Sequence, residues 1–381
     1  MKKTKICFVM PYHLSEGVFG GAEVQAWLLA QELVRRGFSV CYVAQSMNNK
    51  HGQREFIDGV KVRWVRYAHH FKWLNGLDYY RVLKEENPDF VIERMTSFLT
   101  GVAGLYCRKY HKKFIWICTD NEAPRRWHFL KNQIKTNRTN QTALVKAFVF
   151  FINAIIYDIS RHFGMRNVTC AFTQNEYQRV ILKESFHRDS YLMISGYEVP
   201  QNISPPYERL NDGIVLWVAN FGLIKRPEKF VELARLSNNL QLRFVMIGGK
   251  DNESYIERIF RDKPNNLEWL GKLPFEEAQI WFAQSAFYVS TSIEEGFPNT
   301  FIQAWLHGVP VITLGVDPDG VIQKYRLGYV AKNLEDVLKT MNFLSIHPEK
   351  YAEISKKVYE YAKLHHSVEK VCDNFIDIVF N

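Results

Sequence analysis

Residues 291–313 read TSIEEGFPNTFIQAWLHGVPVIT. Two carboxylates, Glu294 and Glu295, stand directly before Gly296, which permits backbone conformations that other residues resist. Pro298 cannot continue a strand, and Asn299 or Thr300 suits a helix N-cap. Phe301, Ile302, Ala304, Trp305 and Leu306 then form an apolar helical run, closed by Gly308 with Pro310 just beyond. Residues 286–291 and 309–313 on either side read as short buried strands. The order strand, loop, helix, strand puts Glu295 in the loop and Gln303 about one turn into the helix. Both then reach one mouth, where the free amides of the helix N-terminus make an anion site. On these residues alone, a capped helix beside a solvated acidic loop is an equally good reading.

The same alternation extends outward in both directions. Residues 214–219, 242–247, 267–270 and 328–331 complete a set of strands in the second half, with helices between most of them. The first half offers strands at 6–10, 40–44, 60–65, 90–92, 114–118 and 168–173, and amphipathic helices such as 22–36 and 100–110. Apolar strands without alternation predict parallel sheets covered on both faces. Two such halves predict an α/β protein of two doubly wound, Rossmann-like domains. Residues 201–212, QNISPPYERLND, are rich in proline and polar residues and are the expected joint. The expected division is 1–200, 201–365, and a helix over 366–381 that packs back toward the N-terminal domain.

At 381 residues the chain is long enough for two domains. Its cysteines, Cys7, Cys41, Cys107, Cys118, Cys170 and Cys372, are scattered without a CxxC, which predicts reduced thiols in a cytoplasmic protein and neither a disulfide frame nor a zinc site. No cluster of metal ligands stands out, so no metal cofactor is expected. The basic start, MKKTKICFVMPYH, breaks at Pro11 and reads as a first strand, not a signal peptide. The net charge of +9 is concentrated. Between Tyr106 and Lys146 there are ten Lys or Arg against Asp120 and Glu122, an excess of eight. Such a run is commonly a solvated face, and it also suits an anionic partner such as a membrane surface. It is followed by the most apolar stretch, ALVKAFVFFINAIIY (143–157), which is shorter than the roughly 20 residues of a membrane span. That stretch predicts a buried helix, with docking on a membrane surface as the alternative.

No GxGxxG follows the first strand. Gly20 and Gly21 instead open the first long helix after Phe19, and two glycines at a helix start allow close approach of a phosphate. Lys225 and Arg226 follow the first strand of the second half, with Pro227 at a helix position that proline tolerates. Two cations beside a helix N-terminus suit a diphosphate. Each feature alone is weak. If Gly20–Gly21, Lys225–Arg226 and Glu295–Gln303 all lie at strand carboxyl ends, they suit a nucleotide diphosphate carrying a sugar.

TSIEEGFPNTFIQAWLHGVPVIT resembles the nucleotide-binding signature of the family-4 (group 1) retaining glycosyltransferases, which have the GT-B fold. GGAEVQAWLLAQELVRRGFSV (20–40) resembles that family's first loop and helix. WVANFGLIKRPEKFVELA (217–234) resembles its phosphate loop. LRFVMIGG (242–249), LEWLGKLPFEEAQIWFAQSAFYVSTS (267–292) and LHHSVEKVCDNF (364–375) resemble its C-terminal domain, in the same order. The resemblance implies two domains facing a central crevice, acceptor on the N-terminal and donor on the C-terminal one. It makes Glu295 the first acid of a Glu-x7-Glu motif, close to the donor sugar, with Gly296, Phe297, Pro298, Asn299 and Thr300 as donor-binding neighbours. The second acid, which holds the ribose, is Gln303 here, an amide without charge. Lys225 matches the phosphate lysine. The arginine five residues earlier is Asn220 here, and Arg226, or a residue from elsewhere, is the expected replacement. Asp120, at a strand end, is the expected acceptor-side acid, with Arg94 as a second acceptor candidate.

The implied activity is retaining transfer, without metal, from a nucleotide-diphosphate sugar to a glycan or lipid-linked acceptor in bacterial surface polysaccharide assembly. The implied location is cytoplasmic, at the inner face of the membrane. The rival readings are a nucleotide-sugar epimerase of the same fold, a degenerate transferase marked by Gln303, and a non-enzymatic binder of anionic polymer. No nucleic-acid motif is present, and nucleic acid is not an expected partner.

Overall fold

The structure, a computed structural model, describes residues 3–17, 20–68, 72–139, 144–237, 241–249 and 253–380. It divides into two compact units, Met1–Ile194 with Val371–Asn381, and Ser195–Lys370. The first unit holds strands β1 (Lys5–Val9), β2 (Ser39–Ser46), β3 (Arg54–Ile57), β4 (Val60–Arg66), β5 (Phe90–Glu93), β6 (Lys113–Ile117), β7 (Cys170–Thr173) and β8 (Tyr191–Leu192). They form one sheet in the order β3-β4-β2-β1-β5-β6-β7-β8, parallel apart from the β3–β4 pair. The chain works outward from β1 through β2 and β4, then starts again at β5 on the other side.

Successive side chains of a strand point to opposite faces. Ile6, Phe8 and Met10 accordingly pack with Leu29 and Leu33 of the Gly21–Arg35 helix. Cys7 and Val9 pack on the other face with Tyr79, Leu83, Leu99 and Tyr106. Both faces are covered, so the strands read as continuous apolar runs. The helices Leu99–Tyr110 and Leu144–Arg166 cross at backbone contact. A methyl group on Gly164 would sit 2.0 Å from the Thr100 carbonyl oxygen, and one on Gly104 would sit 2.7 Å from the Gly164 Cα.

The second unit holds β9 (Ile214–Val218), β10 (Arg243–Ile247), β11 (Leu267–Trp269), β12 (Phe287–Ser290), β13 (Val311–Thr313) and β14 (Gly328–Val330). These form a parallel sheet in the order β11-β10-β9-β12-β13-β14. The strand order reverses between β9 and β12. In open α/β sheets, ligands bind outside the strand carboxyl ends at such a reversal.

Two outcomes differ from expectation. The proline-rich stretch read as a joint is folded inside the second unit, where Pro206–Asp212 form a helix. Its Arg209 is 1% exposed and turns polar composition to internal use. Among the described residues, the basic side chains of 106–146 do not form one face. Lys112 and Lys113 precede β6 or start it, whereas Arg125, Arg126 and Lys131 follow its carboxyl end. A five-residue strand of about 17 Å separates the two groups. Lys112 is paired with Asp89 at 3.3 Å, and Arg125 with Glu122 at 2.9 Å. Side chains of residues 135–147, including Lys135, Arg138 and Lys146, lie outside the described residues.

Candidate active site

In the second unit the loops after β9 and β12 are tied to each other. The Ile293 amide donates to the Ile224 carbonyl at 2.9 Å. Thr291, just past β12, donates its hydroxyl to the carbonyls of Lys225 (2.6 Å) and Arg226 (3.0 Å), and accepts from the Trp217 indole at 2.9 Å. Arg226 caps the Pro227–Leu236 helix in the left-handed region (φ 48°), a conformation that costs a non-glycine residue about 1 kcal/mol or more. The surrounding bonds hold it there. Its guanidinium donates to the carbonyls of Thr291 (2.6 Å) and Leu314 (3.4 Å), at the ends of β12 and β13. Arg226 was expected on the diphosphate; in the structure its side chain clamps three loops together.

That clamp sets the neighbouring Lys225. The Lys225 ammonium is ion-paired with the Glu295 carboxylate, and both side chains are partly exposed. The pair lies at the carboxyl ends of β9 and β12, where the strand order reverses. Asn220 is exposed in the same β9 loop. Glu295 leads through Gly296 to Phe297, which is buried against Trp305 and His366. Pro298 is the N-cap of the Asn299–Leu306 helix. The Thr300 hydroxyl accepts from Tyr288 at 2.8 Å. Gln303 is 8% exposed, and its amide is engaged at both ends, accepting from Gln279 and donating to Tyr197 at 2.9 Å each. A cation, a carboxylate and helix N-terminal amides at one reversal point can hold a diphosphate and stabilise charge that leaves with it.

The first-unit candidates are arranged differently. Phe19 lies outside the described residues. Gly20 caps the Gly21–Arg35 helix, and the Glu23 carboxylate folds back over it, so closely that a Cβ on Gly20 would clash at 2.1 Å. The anion at this helix N-terminus is thus the chain's own, and burial raises the Glu23 pKa. Asp120 is exposed after β6, and its Oδ1 accepts from the amides of Glu122 (3.0 Å) and Ala123 (2.8 Å). Arg94, after β5, is 1% exposed. At the preceding residue, burial pushes the Glu93 carboxyl up to about 8, and the Ser97 hydroxyl donates to it at 2.7 Å.

Sequence reasoning missed Arg209, Tyr197 and Gln279. Arg209 uses every guanidinium N–H. It donates to the carbonyls of Ser204 (2.9 Å), His307 (2.6 Å) and Gly308 (2.9 Å), the Ser355 hydroxyl (2.6 Å) and Tyr351 (3.4 Å). It therefore anchors the carboxyl end of the helix that carries Thr300 and Gln303. A lone arginine in a polar stretch carries no pattern that marks such a role.

Three buried histidines give a pH signature. Burial lowers His13, His307 and His366 each to about 4. The unfolded chain takes up these protons below about 6.5, whereas the folded chain does not until about 4. Each histidine therefore withdraws up to about 3 kcal/mol of stability as pH falls from 6.5 to 4. Glu93 acts oppositely: its folded proton stabilises below the usual carboxyl range, and that contribution is lost as pH rises to about 8. Between pH 4.5 and 6.5 the histidines outnumber it. Thermal melts should show the midpoint falling on acidification through this window; a flat midpoint would contradict the assignment of neutral buried histidines.

Comparison with known proteins agrees with this geometry. Residues 212–345 match the family described as glycosyl transferases group 1, and residues 19–169 match glycosyltransferase family 4. A protein of the cps region of Klebsiella pneumoniae, itself described as uncharacterized, is 21% identical over 314 residues, covering 77% of this chain and 81% of that protein. Among solved structures, sucrose-phosphate synthase from Thermosynechococcus elongatus superposes with a TM-score of 0.74 at 14% identity, covering 99% of this chain and 98% of that one. Anabaena HepE in complex with UDP-glucose gives 0.71 at 13% identity, covering 98% and 99%. The two doubly wound units thus define a GT-B glycosyltransferase. The chain belongs to the group 1, family-4 glycosyltransferases.

Proposed function

We propose that this enzyme is a retaining transferase that moves a sugar from a nucleotide-diphosphate donor to a lipid-linked glycan in bacterial surface polysaccharide assembly. The observation that carries this reading is the Lys225–Glu295 pair at the reversal between β9 and β12. Lys225 and the amides opening the Pro227–Leu236 and Asn299–Leu306 helices would meet the diphosphate. Glu295, held by Lys225, would face the donor sugar, with Gly296, Phe297, Pro298 and Asn299 shaping its loop. Gln303 would meet the ribose. The bond from the anomeric carbon to the leaving phosphate oxygen breaks while the acceptor oxygen bonds to the same face, and the acceptor proton passes to that phosphate. No covalent enzyme intermediate forms, unlike in retaining glycosidases, where a second carboxylate acts as the nucleophile. Protein cations and amides carry the leaving charge, so transfer needs no divalent metal. Asp120 would contact the acceptor, and fully buried Arg94 would position its surroundings rather than touch it.

The surface-polysaccharide setting is supported by similarity to the Klebsiella pneumoniae cps-region protein. The test is product analysis by NMR with a panel of sugar nucleotides and lipid-linked acceptors. A product with the donor's anomeric configuration is expected. An inverted product would overturn the retaining assignment, and a changed sugar without acceptor would mark an epimerase.

A cytoplasmic enzyme working on such an acceptor would dock on anionic membrane. Among the described residues no helix is long and apolar enough to cross one. However, the Leu144–Arg166 helix exposes Phe148, Phe150, Phe151 and Ile152, and Arg126 and Lys131 are also exposed. Each cation near an anionic surface contributes about 1 kcal/mol, weakened by salt. Sedimentation with anionic vesicles should fall when Phe148, Phe151, Arg126 and Lys131 become serine, and should persist when only Lys112 and Lys113 do. Equal binding to neutral vesicles, or no loss in the first variant, would leave these residues as an ordinary surface.

A further inference from the structure

Gln303 is the point where this chain departs from the family's paired acids, and its surroundings are built for an amide. The Gln279 side chain, on the Phe275–Gln284 helix, donates Nε2–H to Gln303 Oε1 at 2.9 Å. Gln303 in turn donates Nε2–H to the Tyr197 hydroxyl oxygen at 2.9 Å. At the other end, His307 Nε2 lies 3.2 Å from Gln279 Oε1. Gln279 Oε1 can only accept, so this contact requires the proton on His307 Nε2. Burial keeps the ring neutral, with its pKa lowered to about 4, so this is a single fixed tautomer. The donors therefore run one way: His307, Gln279, Gln303, Tyr197. Tyr197 and His307 are 3% and 8% exposed, and the Tyr197 ring stacks on Phe275 at 5.7 Å. No single member can reverse without setting donor against donor or acceptor against acceptor, and reversing the whole chain would move the His307 proton to Nδ1, which is buried without a hydrogen-bond partner.

We propose that Gln279 and Tyr197 are positioning residues that fix the Gln303 amide for a ribose hydroxyl of the nucleotide, with neutral His307 setting the polarity of the chain. A carboxylate at residue 303 would accept from both neighbours. It would turn the Tyr197 proton inward. The amide instead leaves Tyr197 as an acceptor on its Gln303 side. It presents one amide N–H and one oxygen lone pair beyond those already engaged. A ribose hydroxyl, both donor and acceptor, matches that combination. Gln303 thereby recognises the sugar by orientation rather than by charge, and the orientation is imposed from outside the motif. This inference rests on the nucleotide-sugar reading of the same site.

The experiment titrates the full chain with UDP, GDP and ADP by calorimetry, then with the 2′- and 3′-deoxy forms of the tightest. Tyr197→Phe and Gln279→Met are compared with wild type, with melting curves to establish folding. Loss of one neutral hydrogen bond from the chain should weaken ribonucleotide binding about three- to tenfold in each variant. At least one deoxy form should bind wild type and variants alike, because the positioned contact is then already absent. Equal weakening for ribo and both deoxy forms, or none for any ligand, would overturn the positioning role. If wild type bound no nucleoside diphosphate, the nucleotide-sugar reading itself would fail, a result distinct from either. Should Gln279→Met not fold, Gln279→Glu serves, since a carboxylate there cannot donate to Gln303.

Discussion

Glu295→Ala should lower glycosyl transfer by roughly a hundredfold or more, the effect of removing a preorganised electrostatic group. The melting curve should barely move. Lys225 and Glu295 both reach solvent, and partly exposed ion pairs contribute only about 0–1 kcal/mol to folding. The loop itself is held by other bonds: Ile293 to Ile224, Thr291 to the Lys225 and Arg226 carbonyls, and Phe297 in the core. Without the carboxylate, Lys225 loses the partner that aims its ammonium. The loss should therefore fall on kcat more than on the Michaelis constant for donor, as for an interaction made chiefly in the transition state. Initial rates with saturating donor, beside thermal melts, decide the matter. Near-normal transfer by a well-folded variant would remove Glu295 from the mechanism.

Arg209→Met should be costly for the opposite reason, destabilising the fold by about 3–5 kcal/mol. Methionine fills similar space but donates nothing. The carbonyls of Ser204, His307 and Gly308 would be left buried around an apolar chain, and the helix ending at Leu306 would lose a cation at its negative end. Arg209→Lys should recover only part of the loss, because an ammonium has three donors where the guanidinium uses five. Chemical denaturation of the two variants provides the measurement. A loss below about 1 kcal/mol in Arg209→Met would mean the site collapses around the gap and the anchor is dispensable.

Much of this was legible in the sequence, for identifiable reasons. The strands of both sheets are buried on two faces, so residues such as Ile214–Val218 and Phe287–Ser290 advertise themselves as unbroken apolar runs. The Arg54–Ile57 edge strand was missed because only alternate residues are half-buried; the signal lay in Asp58-Gly59, whose positive φ angles (48° and 80°) form the turn into β4. Lys225 and Glu295 were legible because strand-end loops carry chemistry in such sheets. The Arg226 clamp was not, since spacing places a cation near a loop without saying which way its side chain turns. The partners of Gln303 come from residues 197 and 279, and no local pattern links positions so far apart.

Residues 371–380 form one face of the first unit's core, with Val371, Cys372, Phe375 and Val379 packed against Ile6, Phe8 and Leu33. They are separated from the rest of that unit by the whole of Ser195–Lys370. On a ribosome, the first unit must therefore wait with an apolar face uncovered until the second has been synthesised. The order in which the units are completed is the reverse of the order in which they begin. An N-terminal fragment cut at the unit boundary would inherit the same exposed face permanently, so a separately expressed first unit needs residues 371–380 supplied by fusion or as a second chain.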